Sequence, residues 1–134
     1  MSAIAIAKGV DMPARKVAVV AALVRGRSVS DALTILDHVP RASATAVKKT
    51  IISAKSNAVY NHNYKEDGLF ISEISVLGGP SLKRSRPIAH GSFHRILKRT
   101  CHIRVVVDGN QRVAKKVVKE VSDKPVVKAK KETK

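Results

Sequence analysis

The chain has 134 residues, with 26 Lys and Arg against 10 Asp and Glu, a formal net charge of +16. Its length allows one domain with at most a tail, and an apolar fraction of 44% excludes wholesale disorder. Such a surplus self-repels until an anion neutralises it, so the natural partner is a polyanion, and by size and balance a nucleic acid. Only four aromatic rings occur, Tyr60, Tyr64, Phe70 and Phe93. That disfavours readers that stack single-stranded bases on a ring platform.

In chain order, residues 3–8 alternate larger and smaller apolar side chains, a strand signal. Asp11 and Pro13 mark a helix start, with Asp11 as N-cap acceptor and Pro13 in the first turn, where a missing N–H costs nothing. Val17, Val20, Ala21 and Val24 recur at helical spacing, and Gly26 supplies the stop. Ser28-Val29-Ser30-Asp31 opens a second helix as an acidic capping box. Leu33, Leu36 and Val39 follow on one face, with Ile35 beside them, until Pro40 ends it. The longest helix is predicted from near Ser43 to about Asn61, with Val47, Ile51, Ala54 and Ala58 as its buried stripe. That narrow, Ala-rich stripe calls for close packing against another element. Lys48, Lys49 and Lys55 fall on other faces.

Residues 63–68 read as a polar turn, and there the period changes. Leu69–Leu77 reads as a strand interrupted by Gly78-Gly79-Pro80, and Ile103–Val107 as a second one. Between them two arms run to and from a tip near His90-Gly91-Ser92, which suggests one long antiparallel hairpin. Lys83, Arg84, Arg86, Arg95, Lys98 and Arg99 line its arms, and no acid occurs between Pro80 and Val107. An isolated ribbon is marginal in water, and this one should persist only against an anionic surface. Residues 1–79 carry a net charge of +4, residues 80–108 +6 and residues 109–134 +6. The chain therefore divides into a domain over 1–108, including the hairpin at about 80–100, and a basic tail over 109–134. Val113, Val117 and Val121 in that tail sit at helical spacing, and disorder of the free chain is expected beyond Pro125.

The chain resembles the large-subunit ribosomal protein twenty-two family in its bacterial form. The resemblance rests on Arg15-Lys16-Val17 with Leu23-Val24-Arg25-Gly26, then Ala32-Leu33 with Ile35-Leu36, Lys48-Lys49, Asn57-Ala58 and Asn61-His62. Its most specific stretch runs from Gly79-Pro80-Ser81-Leu82-Lys83-Arg84 through Pro87, Ala89 and Gly91 to Arg95-Ile96, Lys98-Arg99-Thr100 and His102-Ile103. The family implies an α+β fold, three helices on a small three-stranded antiparallel sheet with a long protruding β-hairpin. It implies no enzymatic activity and no cofactor. The implied place is the large ribosomal subunit of the cytoplasm, with ribosomal RNA, neighbouring ribosomal proteins and the nascent polypeptide as partners. The family's hairpin tip lines the peptide exit tunnel. Carried onto this chain, the RNA-binding residues are Arg15, Lys16, Arg25, Lys48, Lys49, Asn57, Asn61, His62, Lys83, Arg84, Arg86, Arg95, Lys98, Arg99 and His102. The tunnel-facing tip is Ile88, Ala89, His90, Gly91 and Ser92. Ile88, His90 and Ser92 replace residues that are usually basic in the family, and Leu77-Gly78 replaces a usual acidic pair.

Other chemistries fare worse. His90, His94, Cys101 and His102 invite a metal, but one Cys without a partner pair falls short of a zinc ligand set. No nucleophile has a base and an orienter nearby, and Glu66-Asp67 lie in a turn, so a nuclease lacks support. The longest apolar run, Val17–Val24, is far short of the ~20 residues that span a bilayer. One Cys excludes a disulfide scaffold and points to a reducing cytosol. A free-standing nucleic-acid chaperone using the same ribbon remains the alternative.

Overall fold

The computed structural model describes residues 2–109. Ala3–Val10 forms β1, followed by helices α1 (Ala14–Val24), α2 (Val29–His38) and α3 (Ala42–His62). Strands β2 (Phe70–Pro87) and β3 (Phe93–Asp108) complete the described chain. β1 and β2 both run antiparallel to β3, so the sheet order is β1-β3-β2. The result is the α+β architecture that the resemblance implies.

One face of the sheet is covered by α1 and α3, and α2 packs on those two helices. Alternate residues of β3 point into the core: Cys101, Ile103, Val105 and Val107 are fully buried. From α3 the stripe Val47, Ile51, Ala54 and Ala58 meets them, fully buried as its spacing predicts. The small side chains bring α3 close to β1, whose Ala3 and Ala5 point inward while Ile4 and Ile6 point out. The Asn57 amide of α3 also donates to the Ile4 carbonyl at 3.0 Å, which satisfies one group of that sheet edge. The opposite edge is closed by the link between α1 and α2. There Gly26 N–H donates to the Ile71 carbonyl, Ile71 N–H to Arg27 and Val29 N–H to Leu69.

Helix ends follow the sequence unevenly. Ser28 caps α2 by accepting from Asp31 N–H at 3.1 Å, as its box predicts. Asn63 closes α3 in the left-handed region at φ 54. The Asp11 cap does not form. Pro13, with ψ 133, is itself the half-in residue before Ala14, and no side chain caps α1. In α2 the fully buried stripe is Val29, Ala32 and Leu36, and Leu33 and Val39 are only partly covered.

The larger difference lies at Gly78-Gly79-Pro80. It is not a break. β2 is one strand of 18 residues, with a bulge between the Gly78↔Cys101 and Ser81↔Arg99 pairs. Pro80 fits because a bulge releases it from donating to the ladder. β1 carries its own register shift between Ala7↔Ile103 and Val10↔Cys101. Both irregularities thus flank the same stretch of β3, Thr100 to His102, where the body ends and the ribbon begins. Thr100 Oγ1 donates to the Pro80 carbonyl at 2.6 Å, and His102 Nδ1 accepts from Gly9 N–H at 2.9 Å.

A Cβ on Gly79 would stand 2.5 Å from Thr100 Oγ1 and 3.3 Å from the His102 ring, whereas one on Gly78 would meet nothing within 4 Å. Gly79→Ala is therefore expected to destabilise the full chain in urea unfolding by about 1–3 kcal/mol, and Gly78→Ala to be neutral or slightly stabilising. Equal effects of the two would refute the close-approach account. Ser28→Ala should cost about 1 kcal/mol by the same measurement.

Candidate nucleic-acid interface

Beyond the bulge, β2 and β3 continue as a bare ribbon. Ser81↔Arg99 to Pro87↔Phe93 makes seven cross-strand pairs, a span of about 20–25 Å. Every residue from Pro80 to Arg99 is exposed, so no core holds this part. Paired residues share a face, which distributes the charge. One face carries Lys83, Arg95 and Arg99; the other carries Arg84, Arg86 and Lys98. No Lys or Arg stands directly opposite another. Their partners across the ladder are Leu97, Ser85, Ser81, Ile96, His94 and Leu82 respectively. Like charges directly opposite destabilise a pair, and this register avoids all such rungs. The ribbon can therefore form while presenting three cations on each side.

The turn at the far end spans Ile88–Ser92, closed by Ile88 N–H donating to the Ser92 carbonyl at 2.8 Å. His90 and Gly91 both lie in the left-handed region, at φ 58 and 71. The requirement at Gly91 is legible in the sequence; that at His90 is not, because His is only moderately tolerant there. Ala89, Gly91 and Ser92 are exposed, as are Ile88 and Phe93, and no Lys or Arg occurs in the turn.

At the root of the ribbon three open clefts meet around Pro13. One is lined by Arg84, Lys98 and Arg99, a second by Arg15 and Arg99, and a third by Lys16 and Arg41. Asp11 is the one acid among their linings. The uncapped N-terminus of α1 opens into the same place and adds donors and a positive helix end. The fold thus brings Arg15 beside Arg99, though more than eighty positions separate them, and sets Lys16 in the adjoining cleft. Arg41 joins them unforeseen. It follows Pro40 in the chain, and only the packing of α3 against α1 carries it to Lys16.

The remaining candidates are scattered over the body. Arg25 Nη2 donates to the Ile74 carbonyl at 3.1 Å, which pins the guanidinium to the sheet. Lys48 is paired with Asp37, and Lys49 lies on the rim of a groove between α3 and β1. Asn57 spends an N–H on Ile4, Asn61 is exposed, and the half-exposed His62 ring lies 6.3 Å from that of Tyr64. His102 uses Nδ1 on Gly9, which leaves Nε2 beside Gly79.

Cys101 and His102 point to opposite faces of β3, so they cannot hold one ion together. Among the described residues no three of His, Cys, Asp and Glu gather. Burial pushes the Cys101 thiol above its ordinary range, which keeps it protonated and unreactive. The notional tail helix at Val113–Val121 lies outside the described residues.

The sequence profile described as ribosomal protein L22p/L17e matches residues 5–108. The chain is also 47% identical to the large ribosomal subunit protein uL22 of Deinococcus radiodurans over 103 residues, which covers 77% of each chain. It is 47% identical over 107 residues to the protein of that name from Clostridium perfringens, covering 80% of this chain and 96% of the relative. The relative from Clostridium novyi is 48% identical with the same coverage. The matched stretch is the described body and its ribbon, from β1 to the end of β3, and on these grounds the chain belongs to the ribosomal protein L22p/L17e family.

Proposed function

We propose that this chain is a structural constituent of the large ribosomal subunit in the cytoplasm, and that it binds the subunit's RNA through the ribbon and the clefts at its root. The observation that carries this reading is the ribbon's charge on both sides. A protein resting on RNA needs cations on one face only. Three on each face suit a ribbon surrounded by phosphates, which they neutralise without reading sequence. The arginines can be bidentate, and Lys83 and Lys98 act as point charges. Such a ribbon helps to draw separate RNA segments together, which is its contribution to assembly.

The tip serves a different purpose in this reading. With Ile88, Ala89, His90, Gly91 and Ser92 exposed and no Lys or Arg among them, it has little hold on phosphate. It suits the wall of the peptide exit tunnel, where a nascent chain must pass without being captured. Nothing in the reading calls for catalysis, and the family is structural in kind. Beyond the domain, residues 109–134 add to the basic charge and are assigned the role of a tail.

The competing role is a chaperone that acts on RNA apart from the ribosome. Sedimentation separates the two: the protein should travel with large subunits in a gradient, and a predominantly free pool would favour the chaperone.

In binding to large-subunit RNA, log affinity should fall with log salt at a slope of about −4 to −5 if all six arm cations engage phosphates. Arg84→Ala or Arg99→Ala should each make that slope shallower by about 1, while Ser85→Ala leaves it unchanged. A slope near zero would sink the proposal. Replacing residues 81–99 by a short turn should abolish high-affinity binding and leave the far-ultraviolet signature of the three helices. Loss of the helices would show that the ribbon is part of the core.

A further inference from the structure

The sheet has a second face, opposite the helices, and it is built the wrong way round for one that meets water. In β1 the small Ala3 and Ala5 are buried, whereas Ile4 and Ile6 are 40% and 54% exposed. A strand with one solvated face ordinarily turns its polar residues outward. On the opposite edge of the same face Phe70 is 46% and Leu77 61% exposed. Ladder register places Val106 between Ile4 and Glu73, and Arg104 between Ile6 and Ser75. Ile6, Ile4, the largely covered Val106 and, on its diagonal, Phe70 thus adjoin one another, while Leu77 stands apart beyond Arg104 and His102. An exposed patch of this kind marks an interaction surface.

Charge decides what covers it. The ribbon and its root are cationic almost without relief. This face balances Arg104 and the corner residue Lys8 against Glu73 and Asp108. A largely aliphatic, near-neutral surface has little to offer a phosphate backbone, and its two rings, Phe70 and His102, stand at its opposite ends. Among the described residues no carboxylate lies within ion-pair distance of Arg104, although it stands in the middle of the face. We infer that this open face docks a neighbouring protein of the same subunit, one that lays aliphatic side chains on Ile4, Ile6 and Leu77 and places a carboxylate against Arg104. The inference rests on the proposed place in the large subunit. It divides the molecule's surface by partner: RNA at the ribbon and root, protein on the open sheet.

The test is site-directed photo-crosslinking in assembled subunits. p-Benzoylphenylalanine is placed at Ile6, at Leu77 and, as a reference, at Leu97 on the ribbon. Large subunits are isolated on a gradient and irradiated. From positions 6 and 77 the expected product resists ribonuclease, is degraded by protease and contains a second large-subunit protein identified by mass spectrometry. From position 97 the expected product is RNA. Adding Arg104→Glu, an exposed substitution, should lower the protein product about fivefold, the effect of losing one modest ion pair. Four results would overturn the inference: RNA products at 6 and 77, joining to this chain's own residues 110–134, no product there while Leu97 still reaches RNA, or a yield indifferent to Arg104→Glu. A chain that sediments away from the subunit and gives no RNA product at Leu97 overturns the functional reading, and the inference with it.

Discussion

One strand has to live in two environments. β3 begins in a ribbon with no core at all and ends in the centre of the sheet, walled by β1, β2 and the helices. Everything else in the molecule adjusts to that continuity. The strand itself runs without a break from ribbon to body, so the ribbon's direction is inherited from the body and needs no separate anchor. The change of environment falls at Thr100–His102, where both neighbouring strands depart from regular register. A bulge adds twist and bends the strand, and two of them opposite the same three residues fix the angle at which the ribbon leaves. The Thr100 hydroxyl and the His102 ring then tie the bulged backbones to β3.

The charge of the ribbon is a matter of arrangement as much as of amount. Six cations on two short strands would oppose pairing if they faced one another. The register staggers them against Leu, Ile, Ser and His, so repulsion acts mainly along diagonals and through solvent, where screening is strong. The aliphatic partners do not form a core. They supply cross-strand contacts that favour pairing and keep the long basic side chains spread outward.

The sequence was legible where a local rule acts alone. The α3 stripe, the Ser28 cap, the acid-free arms and the turn at Gly91 all follow from spacing or residue type. It was illegible where tertiary packing overruled a local rule. Gly78-Gly79-Pro80 has the composition of a break, but a bulge needs the same residues, and only pairing with β3 distinguishes the two. Asp11 lost its cap because Pro13 took the half-in position. The alternation in β1 announced a strand yet not its orientation, since Ala and Ile are both apolar and the closeness of α3 selects the smaller. Among the candidate contacts, the arms were readable from charge alone. Arg41 was not, because it reaches the ribbon's root only through the packing of helices, and Arg25 and Asn57 hold the fold's own backbone.

The seven-rung ladder also constrains how this ribbon can vary over generations. Each residue of an arm occupies a fixed face and a fixed rung. Losing one residue from one arm shifts that arm by a rung and turns its side chains to the other side. Such a shift sets like charges opposite each other, Lys83 against Lys98 and Arg86 against Arg95 in one direction or Arg84 against Arg95 in the other, and detaches the tip turn from its closing Ile88–Ser92 bond. Changes of length between the bulge and the tip are therefore compatible with the structure only as matched losses or gains in both arms, which lengthen or shorten the reach while keeping every charge on its own side. The ribbon can change its depth far more easily than its pattern.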